Sequence, residues 1–84
     1  MPIVRAMPNT PGAIGRGITA LYSPKRLKRG QRALVQQLVS ALGESIWVGE
    51  EKLIDAVTAV SGSGPAYVFL FAEVLAAAAC ERGL

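Results

Sequence analysis

Two short polar segments carry the residues of this chain that could do chemistry. One is Ser61-Gly62-Ser63-Gly64-Pro65-Ala66-Tyr67, set between two apolar helical patterns. A helix that starts at such a cluster offers unpaired backbone N–H groups at its first turn. These can cap themselves, pack against another backbone or hold an anion. Ser61, Ser63 and the N–H groups around Gly62 and Gly64 are therefore candidate ligand contacts, although the same glycines equally suit close helix–helix approach. The other segment is Met7-Pro8-Asn9-Thr10-Pro11-Gly12. Asn9 has an amide donor and an acceptor that suit a carboxamide or carboxylate ligand. A loop directly after a strand is where α/β proteins place such contacts. Asn9 can as readily bond its own backbone as a turn residue.

Other chemistries are narrowed by composition. The chain has no histidine, so imidazole metal sites and Ser-His or Cys-His catalysis cannot be assembled within it. No metal site is expected. Gly62-Ser63-Gly64 is not a dinucleotide fingerprint, since it lacks the third glycine and no strand precedes it; Gly12, Gly15 and Gly17 also fail the pattern. Glu73 is a lone carboxylate in an apolar helix, expected to face solvent or pair across an interface. Cys80 has no partner for an internal disulfide and is expected to pack in an alanine-rich helix. Together with the lack of a signal peptide, it implies a reducing, cytoplasmic setting.

The elements that must position these residues follow from patterning. Ile3-Val4 opens a short strand, residues 18–22 read as a second, and Pro24 fits the start of a helix with Ser23 as cap. Residues 25–42 read as an amphipathic helix with a stripe of Leu27, Leu34, Leu38 and Leu42, supported by Ala33, Val35 and Ala41, and Gly43 as its stop. Residues 44–48 read as a third strand. From Glu50 the texture is helical, with Leu53, Ile54, Val57 and Val60 on one face until the 61–65 cluster interrupts it. Residues 66–82 form a helix that is apolar nearly all round. The fold class expected is α/β followed by all-α, with a domain boundary between residues 49 and 50.

Of 84 residues, 51% are hydrophobic and only 18% charged, which is more apolar surface than so small a body can bury alone. A helix hydrophobic on every side must be covered on every side, so an assembly through this helix is expected. The apolar stretch before Glu81 is 15 residues, short of the roughly 20 needed to cross a bilayer, and no membrane span is expected. Net charge is +3, and five of nine basic residues are Lys25, Arg26, Lys28, Arg29 and Arg32. This run reads as a solvated helix face rather than a nucleic-acid patch, although it could contribute to a phosphate-rich cofactor site.

Taken together, Arg5-Ala6-Met7-Pro8-Asn9-Thr10-Pro11, Gly17-Ile18-Thr19-Ala20 and residues 55–68, Asp-Ala-Val-Thr-Ala-Val-Ser-Gly-Ser-Gly-Pro-Ala-Tyr-Val, closely resemble pyrroline-5-carboxylate reductase. The match is in order and covers essentially the whole chain. The resemblance implies reduction of 1-pyrroline-5-carboxylate to L-proline by hydride transfer from NADPH or NADH. It implies residues 1–49 as the C-terminal part of a Rossmann-type domain and residues 50–84 as the first helices of a helical dimerisation domain. A homodimer or higher oligomer would form through the 64–83 helix. The family's Gly-rich fingerprint and its later substrate loop are not in this sequence, so the chain resembles the middle of such an enzyme. Carried over residue by residue, Met7 and Asn9 are implied to contact cofactor, and Ser61, Gly62 and Ser63 to line the substrate pocket; no catalytic acid is implied. Two alternatives remain open: another NADP-dependent imine or keto reductase on the same two-domain plan, and a non-catalytic helical interaction module.

Overall fold

The computed structural model describes residues 2–84. Strand β1 (Arg5–Met7) leads through a 3-10 turn (Thr10–Ile14) to β2 (Gly17–Tyr22). Helix α1 (Arg29–Val39) follows, then a 3-10 turn (Ser40–Leu42) and β3 (Gly43–Trp47). Helix α2 (Lys52–Val57), a π-helical turn (Thr58–Gly62) and α3 (Gly64–Glu81) complete the chain. The sheet order is β1-β2-β3, with β1 antiparallel and β3 parallel to β2. A parallel pair needs a crossover, which α1 supplies.

Alternation along β2 decides what lies on each face. Ile18 and Ala20 face α2, together with Ile46 of β3. Thr19 and Leu21 face α1, where Trp47 stacks with Arg32, whose guanidinium carbon lies 4.4 Å from the ring centroid. Ala20, Leu21 and Ile54 are the fully buried apolar residues among those described. Thr19 is buried beside them, and its hydroxyl has no hydrogen-bond partner.

Several boundaries differ from the sequence reading. The first strand lies at Arg5–Met7, not at Ile3-Val4. Helix α1 starts at Arg29, so Lys25, Arg26 and Lys28 precede it. Pro24 and Ser23 do not open the helix. The Ser23 hydroxyl lies 2.9 Å from the Ile3 carbonyl and 2.8 Å from the Lys25 carbonyl, and so ties the chain ahead of β1 to this loop. The helix start is held instead by Gln31, whose Oε1 accepts the Lys28 N–H at 2.9 Å. The inward stripe of α1 is Gln31, Val35 and Val39, while Leu34 and Leu38 are exposed.

The largest difference is at the Ser/Gly/Pro cluster. It does not interrupt the helix: residues Lys52–Glu81 run as one helix of 30 residues. Pro65 supplies no N–H, and its ring would crowd the Ser61 carbonyl in a regular α-turn. The wider π turn just before it relieves that conflict. Three hydroxyls donate to helix carbonyls around this turn. Thr58 Oγ1 donates to Ile54 O (2.9 Å), Ser61 Oγ to Val57 O (3.2 Å) and Ser63 Oγ to Thr58 O (3.2 Å). By length and composition alone this continuous helix is long enough and apolar enough to cross a membrane, which corrects the 15-residue count.

The apolar surplus has become exposed surface. The chain exposes 6445 Å², whereas a compact monomer of 8.8 kDa would expose about 4,800 Å². Its radius of gyration is 16.8 Å against about 12 Å for a compact body of this length. Helix α3 accounts for this: Tyr67, Val68, Phe69, Leu70, Phe71 and Val74 are all more than half exposed. Cys80 is exposed on the same helix rather than packed.

Candidate functional site

Asn9 ends the segment after β1 and is half-buried. Its Oδ1 accepts the Ile18 N–H at 2.9 Å, which joins the loop to the start of β2. Its own carbonyl accepts the Gly12 N–H at 3.0 Å. The turn role is therefore real, but it uses only the amide oxygen. Gly17 makes this approach possible: a Cβ there would lie 2.6 Å from Asn9 Oδ1 and 2.8 Å from the Gly12 nitrogen.

Asn9 borders an open cavity of about 360 Å³ with Arg16, Gly17, Ile18, Gly43 and Glu44. This cavity lies at the carboxyl end of β1 and the amino ends of β2 and β3. Arg16 and Glu44 were not among the residues singled out by sequence; they flank the strand starts, and no short-range motif marks them. Met7 is half-buried in β1 and pairs with Ala20.

The second group lies on the other side of Ile18. Ser61 borders an apolar cavity of about 370 Å³ with Ile18, Ala20, Ile46, Leu53 and Val60. Gly62 and Ser63 are half-buried in the same turn but border neither cavity. Ile18 is thus a shared wall, and the start of α3 approaches the Thr10–Ile14 turn. The structure brings the Asn9 and Ser61 segments to adjoining cavities but does not merge them.

An anion nest at the cluster is not formed. The Ser63 N–H is directed at Val60 O and the Ala66 N–H at Ser63 O, and both serine hydroxyls donate to helix carbonyls. These donors belong to the helix.

Comparison with known proteins shows what the chain is similar to. Residues 51–84 match the pyrroline-5-carboxylate reductase dimerisation family. The pyrroline-5-carboxylate reductase of Pseudomonas aeruginosa is 46% identical over 99% of this chain and 30% of its own length. That of Synechocystis sp. is 49% identical over 98% of this chain and 30% of its own. A solved reductase from Coxiella burnetii superposes with a TM-score of 0.86 at 44% identity, over 99% of this chain and 31% of that one. The chain is similar along nearly all of its length to one segment of the pyrroline-5-carboxylate reductases. A Plasmodium falciparum pyrroline carboxylate reductase solved with NADP bound also superposes at 0.86, with 38% identity over 99% of this chain and 33% of its own. The chain spans about 30% of the length of the curated reductases it matches.

The two jobs of Asn9 can be separated. Asn9→Ala removes the acceptor of a part-buried N–H and is expected to cost about 1–3 kcal/mol of stability. Asn9→Asp keeps that acceptor but loses the amide donors, so it should remain near wild-type stability while weakening a ligand in the adjoining cavity. Urea unfolding midpoints, read beside ligand affinity, check the split. Equal losses of stability in both variants would deny it.

Proposed function

We propose that this chain forms part of an NAD(P)H-dependent reductase that converts 1-pyrroline-5-carboxylate to L-proline. The observation that carries this reading is 46–49% identity to named reductases over nearly the whole chain. Residues 1–49 are read as the C-terminal part of the Rossmann-type domain and residues 50–84 as the start of the dimerisation domain. The family match that begins at residue 51 supports this division. A cytoplasmic setting goes with it, in keeping with the unpaired Cys80.

The Asn9 end fits the nicotinamide part of such a cofactor. Asn9 keeps two amide donors, and Gly17 leaves the cavity open at the strand start. The cofactor, when bound, supplies the hydride. The chain's residues contribute position: Asn9 orients a carboxamide, Met7 fills the end of β1, and Ile18 separates this cavity from the apolar one beside Ser61. Ser61 is read as pocket wall with Gly62 and Ser63 behind it, and the Ser61 and Ser63 hydroxyls are occupied in holding the π turn.

Helix α3 is read as a subunit-pairing helix. The excess exposed area of about 1,600 Å² per chain is in the range of obligate interfaces. The dimerisation match over this segment favours protein over lipid as its cover. The proposal is tested by a chimera in which this chain replaces the matching segment of the Pseudomonas aeruginosa relative. Expressed in a proline auxotroph that lacks its reductase, it should restore growth without proline. Soluble chimera without growth would count against the assignment.

A further inference from the structure

The ends of β2 and β3 opposite the Asn9 cavity carry an unbalanced cluster of charge. Lys25, Arg26, Lys28, Arg29 and Arg32 are all exposed there. None has an ion pair among the described residues. The neighbouring acids are engaged elsewhere: Glu51 with Arg5 at 3.2 Å and Glu50 with Lys52 at 2.9 Å. Strand β2 is six residues long, which sets this corner about 20 Å from Asn9. The cations therefore do not serve a cofactor end held at Asn9.

The cluster surrounds a defined recess. Lys25, Arg26, Arg32, Trp47 and Ser23 border a cavity of about 190 Å³, roughly six water volumes. Arg32 is held over Trp47 with its guanidinium carbon 4.4 Å from the ring centroid. Stacking fixes the plane of the guanidinium and leaves its N–H edge free for an acceptor. The indole Nε1–H of Trp47 is itself buried without a partner. Such an unpaired donor is costly and is seldom left so. The exposed cations that border the recess thus have no acidic partner among the described residues.

We propose that Lys25, Arg26 and Arg32, arranged around Trp47, form a binding site for phosphate groups of a small phosphorylated molecule. Phosphate is the acceptor that matches several convergent cations, and arginine engages it through two parallel hydrogen bonds. The recess suits a mono- or diphosphate. A nucleic-acid backbone presents the same group, but it would use a track of cations with interleaved aromatic side chains, and Trp47 is the only tryptophan of the chain.

The test uses the 84-residue chain and inorganic pyrophosphate at constant ionic strength, with the single Trp47 as fluorescent reporter. A saturable change in emission is expected. The double substitution Arg26→Gln and Arg32→Gln should weaken it by about tenfold or more, while Arg82→Gln at the far end of α3 should leave it unchanged. No saturation beyond matched sodium chloride overturns the proposal, and so does equal affinity in the folded double variant. Should that variant fail to fold, the salt-matched titration of the unaltered chain decides alone. A single-stranded oligonucleotide should be displaced by pyrophosphate; binding of the oligonucleotide without any pyrophosphate saturation overturns the small-molecule site.

Discussion

Replacing both Phe69 and Phe71 by glutamate is expected to abolish self-association of a protein that carries this chain. Both rings are more than half exposed on α3. Burying a Phe side chain contributes about 1.5–3 kcal/mol, so losing two weakens pairing by about 10² to 10⁴-fold before the cost of burying two carboxylates is added. The fold of residues 5–57 should survive, because neither ring lies among the buried core residues. Light scattering at a fixed protein concentration reads the change. A variant that keeps the wild-type mass would remove α3 from the interface. The helix is apolar on nearly every side, so a single substitution leaves most of its surface intact and the double change is the decisive one.

Gly43→Ala is expected to be the most damaging small substitution in the chain. Gly43 has φ +126°, a region that L side chains rarely adopt. An added Cβ would collide with the Gly17 carbonyl oxygen and lie 2.7 Å from the Gly17 nitrogen. Both are backbone atoms in the first pair of the β2–β3 ladder and cannot swing aside. Strain and clash together should cost about 3 kcal/mol or more, a large share of the stability of a small domain. Gly30→Ala is the control. A Cβ there meets nothing within 4 Å, and the residue lies in exposed helix, so the change should stabilise by up to about 1 kcal/mol. Thermal or urea midpoints that moved equally in both would refute this account of the β2–β3 junction.

Much of this architecture was legible in the sequence where short-range rules act alone. Residues 18–22 are bounded by Gly17 and by Ser23-Pro24, and they form β2 within one residue of the expected start. The unusually apolar segment after Gly64 is the unpartnered helix, and the Met-Pro-Asn-Thr-Pro and Ser-Gly-Ser-Gly-Pro motifs together carry the same resemblance that the compared reductases show. Failures came where one local signal competed with another. Pro24 and Ser23 look like a helix start, yet Ser23 serves two loop carbonyls and Gln31 takes the capping role. Ser61 to Pro65 look like a break, yet three hydroxyls supply enough donors to carry the helix through a π turn. The leucine stripe of α1 was misjudged because Leu34 and Leu38 point away from this sheet. A helix flanked by more than one partner has more than one apolar stripe, and periodicity does not rank them.

The candidate site was legible in its residue types but not in its assembly. Asn9 was singled out as a candidate, but its bond to Ile18 spans nine residues and depends on Gly17 lacking a side chain. Arg16 and Glu44 join the same cavity only because β2 and β3 begin side by side. Ser61, read from sequence as either a ligand contact or a packing residue, donates its hydroxyl to its own helix.

The most direct measurement is steady-state oxidation of NADPH by the purified chimera in which this chain replaces its counterpart in the Pseudomonas aeruginosa reductase. With 1-pyrroline-5-carboxylate as substrate, turnover within about tenfold of the parent enzyme is expected, a change of about 1.4 kcal/mol or less in transition-state stabilisation. A folded, correctly paired chimera that reduces another imine or keto acid but leaves 1-pyrroline-5-carboxylate untouched would contradict the account.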